Sequence, residues 1–153
     1  MSQEYGGGTD DLIINAQGIR VTTRGETSYG LWARNQGSGG ETRMDIRDST
    51  IATHGNQAHG IYGYRANSSG DVDIDVTGGS TTTGGALAFG LYVRHQKISR
   101  DSTGNIEITT RNHAVETTGT APYPNLDGTY SYGIYADNEN TGNIVIDLSL
   151  IHI

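Results

Sequence analysis

Gly30-Leu31-Trp32, Gly60-Ile61-Tyr62, Gly90-Leu91-Tyr92 and Gly133-Ile134-Tyr135 are one phrase written four times. The first two intervals are 30 residues each, and the third is 43. A ring-bearing residue precedes every one of these glycines: Tyr29, His59, Phe89 and Tyr132. A fixed period of this length marks a solenoid, in which each repeat is one supersecondary unit that buries its apolar face only against its neighbours.

A second glycine series, Gly40, Gly70, Gly104 and Gly142, sets the frame for the next strand. Two, four and six residues on stand Thr42, Met44, Ile46; Val72, Ile74, Val76; Ile106, Ile108, Thr110; and Ile144, Ile146, Leu148. The positions between them are mostly polar, such as Asp71, Asp73 and Asp75. That alternation is a strand with one buried face. A third strand ends at Gly25, Gly55, Gly85 and Gly119, with Val21, Ile51, Thr81 and Val115 four before, and Thr23, Thr53, Thr83 and Thr117 two before. The spacing from Met44 to Ile51, Ile74 to Thr81 and Ile108 to Val115 is seven throughout, and Ile14 to Val21 extends it to a partial coil at Asp11–Ala16.

Equivalent strands run in one direction, so successive coils stack in parallel. The sequence predicts an all-β, right-handed parallel β-helix, the hand following the rule for parallel crossovers. It has about three strands per ~30-residue coil and about four coils, standing ~19 Å tall at ~4.8 Å per rung. Residues 10–148 carry the repeats, residues 1–9 read as an irregular lead-in, and residues 149–153 read as a non-native tail resembling translated adapter sequence. The 43-residue interval holds two insertions, four residues between Gly90 and Gly104 and nine between Gly119 and Gly133. The larger one carries Pro122, Tyr123, Pro124 and Tyr130. Insertions of this kind map to loops, often on the binding side.

Composition agrees with a thin, regular core. Only 33% of the 153 residues are hydrophobic and 23 are Gly. A formal net charge of −7 argues against a nucleic-acid backbone or an anionic membrane as partner. No Cys is present, which removes disulfides and thiolate chemistry. No apolar stretch approaches the ~20 residues of a membrane span. Residues 1–10 show no signal-peptide pattern.

Ala58-His59-Gly60-Ile61-Tyr62, Gly70-Asp71-Val72-Asp73-Ile74 and Tyr132-Gly133-Ile134-Tyr135-Ala136 resemble the passenger repeats of bacterial autotransporters of the pertactin-like kind. The resemblance covers roughly residues 10–148 and marks a passenger β-helix rather than any one passenger. It implies an internal fragment of a secreted stalk, displayed on the bacterial surface and exported through a C-terminal outer-membrane barrel. It further implies a structural or adhesive role without catalysis, with a host-surface glycan or protein as partner.

The aromatic column Trp32, Tyr62, Tyr92 and Tyr135, with Tyr123 and Tyr130 of the insertion, is the candidate ligand site, and sugar rings are its candidate ligand. The plain alternative is that stacked rings stabilise the ladder. The alternate carboxylates Asp71, Asp73 and Asp75, near Asp45 and Glu107, could serve metal or acid–base chemistry. On a strand they read more simply as a solvated face, offset by Arg43. The sequence therefore names no catalytic residue, no metal site and no cofactor. A polysaccharide-binding or polysaccharide-processing β-helix, lyase- or glycosidase-like or a phage tail-spike fragment, is the alternative. His54 and His59 lack zinc spacing, His59 reads as packing, and His95 and His113 fall in predicted turns. The Thr column shares the Val/Ile face and should point inward, which argues against an ice-binding array.

Overall fold

The structure is a computed structural model that describes residues 2–5, 8–66, 69–97, 102–119 and 131–149. Among the described residues it is all strand and turn. One sheet stacks β1 (Ser2–Tyr5), β4 (Leu31–Asn35), β6 (Ile61–Ala66), β8 (Leu91–Gln96) and β11 (Ile134–Asn138). The other stacks β2 (Leu12–Gln17), β5 (Thr42–Thr53), β7 (Val72–Thr83), β9 (Ile106–Arg111) and β12 (Ile144–Ser149). Two short strands extend it, β3 (Arg20–Thr23) on β5 and β10 (Ala114–Thr117) on β7. Every pairing is parallel, and Leu31 sits beside Ile61, Ile61 beside Leu91, and Leu91 beside Ile134. The chain is a parallel β-helix, as the repeat spacing predicts.

Two features differ from the sequence reading. The lead-in of residues 1–9 contains β1, which pairs with β4 from Ser2 beside Trp32 to Tyr5 beside Asn35. The second and third strands of a coil are separate in the outer coils but continuous in the middle ones, as the 12-residue strands β5 and β7. Gly18, Asp48, Gly78 and Asn112 mark the bend between them, all with φ between 49 and 67°. Gly adopts this left-handed region freely, and Asp and Asn are the side chains that tolerate it best. The column is readable in the sequence at the same spacing.

The core is a set of columns along the axis. Met44, Ile74 and Ile108 are fully buried, and so are Leu31, Ile61 and Leu91 on the facing sheet. Each outward neighbour is half-exposed or exposed, giving the period-two burial of β4 and β2. Burial of such columns, with parallel ladder hydrogen bonds between coils, is what orders the chain.

The Thr column points inward, as its parity requires. Thr53 and Thr83 are fully buried. The Thr23, Thr53 and Thr83 hydroxyls donate to the carbonyls five residues on, of Ser28, Ala58 and Ala88, at 2.6, 2.5 and 3.2 Å. Thr117 donates to Ser131, 14 residues on. The nine extra residues equal the nine-residue insertion at this turn. The same hydrogen bond therefore recurs on either side of the insertion. Replacing Thr53 by the isosteric Val removes the donor and strands a buried carbonyl. Urea melts should show a loss of about 1–2 kcal/mol.

Candidate functional site

The predicted aromatic column exists on the outer face of the first sheet. Trp32 lies beside Tyr62, Tyr62 beside Tyr92, and Tyr92 beside Tyr135. Their ring centroids are 6.3, 4.7 and 5.5 Å apart, with interplanar angles of 4, 2 and 52°. Tyr123 and Tyr130 lie outside the described residues.

A second column stands against the first. Tyr29, His59 and Phe89 stack at 5.3 and 4.9 Å, nearly parallel. Each meets the first column edge to face: Tyr29–Trp32, His59–Tyr62 and Phe89–Tyr92 at 70–72°. This herringbone is the favoured aromatic packing, worth about 0.5–1.5 kcal/mol per pair beyond area burial. It has a consequence for binding. The ring faces of Trp32, Tyr62 and Tyr92 are turned toward one another along the axis. A sugar ring binds by laying its C–H face on an aromatic face, and the faces between Trp32, Tyr62 and Tyr92 are taken by their neighbours.

The flanking positions are engaged as well. The Arg34 guanidinium sits 5.9 Å from both the Trp32 and Tyr64 rings, a cation–π arrangement. The Tyr64 hydroxyl donates to Gln96 Oε1. Arg94 binds Glu139 at 2.5 Å and Asp137 at 3.5 Å. The hydrogen bond from Arg94 holds the Glu139 carboxyl below its usual range. Burial pushes the Tyr62 and Tyr92 hydroxyls up, so both stay protonated.

The carboxylate edge forms a shallow groove of about 330 Å³ lined by Glu41, Asp71, Asp73, Asn105, Glu107 and Asn143, among others. Asp73 lies between Arg43 and Glu107 in register, with Arg43 Nε 3.8 Å from its carboxylate. Burial pushes the Asp73 carboxyl up, and Arg43 pulls it back. Asp75 is paired with Arg111 at 3.5 Å, and the hydrogen bond from Arg47 holds Asp45 low.

Asp71 bonds to backbone instead: its Oδ1 accepts the Asn105 N–H of the next coil at 2.7 Å. Asp11 does the same for Glu41 at 2.8 Å, and Asn105 for Asn143 at 2.9 Å. Among the described residues no group of three or more His, Asp or Glu is placed to hold a metal ion.

A third cluster is one that the sequence reading does not single out. Asn35, Arg65, His95 and Asn138 form one column, with the first three fully buried. Arg65 Nη2 donates to the carbonyls of Gly39 and Ser69 at 2.9 and 2.8 Å. Asn138 Nδ2 donates to Gly104 O at 2.9 Å. The column ties down the corner after each first-sheet strand. Extending the in–out alternation five residues past each glycine would have found it. His95 thus belongs to β8, inside the coil, rather than to a turn. His113 is in a turn but buried, accepting from or donating to Thr81 Oγ1 at 2.9 Å and Gly78 O at 2.6 Å.

His59 gives a pH prediction. The Phe89 N–H donates to its Nδ1 at 3.1 Å, so that nitrogen carries no proton. Burial pushes its pKa down to about 4. Burial also lowers His113. A base held neutral in the fold stabilises it fully above the unfolded value near 6.5, and the stabilisation is lost as pH falls toward 4. Melts should lose on the order of 3 kcal/mol from His59 between pH ~6.5 and ~4. His59→Phe should flatten that slope, and an unchanged slope would contradict the assignment.

No helix of the described residues is long and apolar enough to cross a membrane, which says nothing of a β-barrel. No family model, curated protein or solved structure matches this chain.

Proposed function

We propose that the chain is a structural and adhesive stalk segment of a secreted bacterial surface protein, of the autotransporter passenger type, with no chemistry of its own. The observation that carries this reading is the use of its side chains. The rings of the outer face are spent on one another, and Asp71 and Asp75 are spent on backbone amides and arginines. What results is a rod whose regular features all run along its axis, suited to holding something at a distance.

Fusion to a C-terminal outer-membrane barrel tests it. The fused chain should reach the surface of bacteria in a protease-resistant form and raise their attachment to epithelial or glycan-coated surfaces. Failure of both would contradict the reading. A polysaccharide-processing role is the second reading, favoured by the raised Asp73 carboxyl beside Glu107 in the groove. It requires release of unsaturated ends from uronate polymers, and the stalk reading predicts none.

A further inference from the structure

We propose that His113 is an acid-released latch that fastens the bend of one coil onto the bend of the coil before it. Thr77 lies beside Arg111 and Ser80 beside Ala114, so Asn112 and His113 stand over Gly78 and Gly79. Both glycines have positive φ, 67 and 77°, and a Cβ on Gly79 would overlap the Ser49 backbone of the coil below. The β7 bend therefore carries no side chain at these two positions. The imidazole of the next coil turns back onto that bend and is only 4% exposed.

Its two contacts fix the proton. Gly78 O can only accept, so at 2.6 Å it takes the Nδ1 proton. A neutral imidazole then has a bare Nε2, which accepts from the Thr81 hydroxyl at 2.9 Å. Both bonds cross from one coil to the next. A proton on Nε2 breaks the second of them. The Thr81 hydroxyl, itself fully buried, loses its acceptor, and a positive charge stands in the bend. Among the described residues the charged groups of the neighbouring elements do not offset it. Arg111 and Asp75 hold each other at 3.5 Å, Glu116 and Asp147 are exposed, and Asp48 approaches Gly78 from the coil below. Burial makes the ring a weaker base and the Gly78 bond alone opposes that, with no contribution from these charges. The ring therefore keeps its place neutral and leaves it charged, and leaving undoes both ties. Acid loosens this joint beyond what it takes from the stability of the rod as a whole. The inference does not rest on the stalk reading.

Amide exchange on the full chain tests it. As pH falls below the ordinary imidazole value of 6.5, the protection of Ala114–Thr117 relative to that of β5 should fall about tenfold per pH unit, the signature of one proton taken up on opening. His113→Gln keeps a donor and an acceptor without a titrating nitrogen, and should hold that ratio constant. Imidazole nitrogen shifts at neutral pH should place the His113 proton on Nδ1. A ratio that stays level in the parent, the same fall in His113→Gln, or a proton on Nε2 would overturn the proposal. If His113→Gln does not fold, Thr81→Val decides. With the donor to Nε2 gone the neutral ring is less favoured, so the fall should end at a higher pH than in the parent, and an unmoved profile would contradict the latch.

Discussion

Ile74→Asp is expected to remove about 5 kcal/mol of stability, enough to unfold a chain of ordinary marginal stability. Ile74 is fully buried and stands between Met44 and Ile108 in the axial column. Its Cδ1 lies 2.9 Å from where a side chain on Gly63 of the facing sheet would begin. No cation lies in that column of Ile14, Met44, Ile74, Ile108 and Ile146. A carboxylate there either stays charged without a partner or is protonated at the cost of its shifted pKa, and the isoleucine contacts are lost in both cases. Ile74→Val keeps the column filled but for one methyl group and should cost about 1 kcal/mol. Denaturant melts of the three proteins check the order. Equal midpoints for Ile74→Asp and the parent would contradict the inward placement of the whole Val/Ile/Met series.

Gly60→Ala should be nearly as damaging, costing roughly 3 kcal/mol or more in the range of overpacked cores. The reason is space and not φ, since Gly60 is not among the residues of positive φ. A Cβ at Gly60 would overlap Thr81 Cγ2 and lie 2.6 Å from Gly90 O. The third strand presses its side chain into the corner where the first strand begins, and the next rung closes from above. Thr81→Ser removes the methyl group but leaves the carbonyl, so it should rescue Gly60→Ala only in part. Gly133→Ala is the contrast within the same phrase. Among the described residues its new Cβ would meet only Val115 Cγ1, at 3.7 Å, an ordinary contact. It should melt within about 0.5 kcal/mol of the parent, as contact-neutral changes do. Equal costs at Gly60 and Gly133 would show that the phrase is not kept by this crowding.

These two sites also show what made the fold legible. The glycine of the repeated phrase and the alternation after Gly70 report steric and burial constraints that recur at every rung, so repetition exposed them. The Thr column and the Asp–Arg offsets followed from parity alone. β1 was not legible, because Ser2–Tyr5 carries no aliphatic repeat and its strand character comes from the β4 edge above it. The continuity of β5 and β7 was hidden because one left-handed residue bends a strand without ending it. Of the candidate site, the column of rings is written in the sequence but their tilt is not. Edge-to-face contact with Tyr29, His59 and Phe89 depends on side-chain packing across a corner, which no one-dimensional spacing encodes. That tilt sets Trp32, Tyr62 and Tyr92 edge to face against the second column.

Fold, core and ring columns alike require equivalent residues to lie rung over rung in parallel, and backbone NOEs across neighbouring strands read that arrangement without an intermediate step. Parallel stacking predicts contacts at a separation that stays constant along each strand pair, 30 residues for Met44 with Ile74 and Tyr62 with Tyr92, advancing together along both strands. Contacts whose residue numbers instead rise on one strand as they fall on the other would mean antiparallel hairpins and would contradict it.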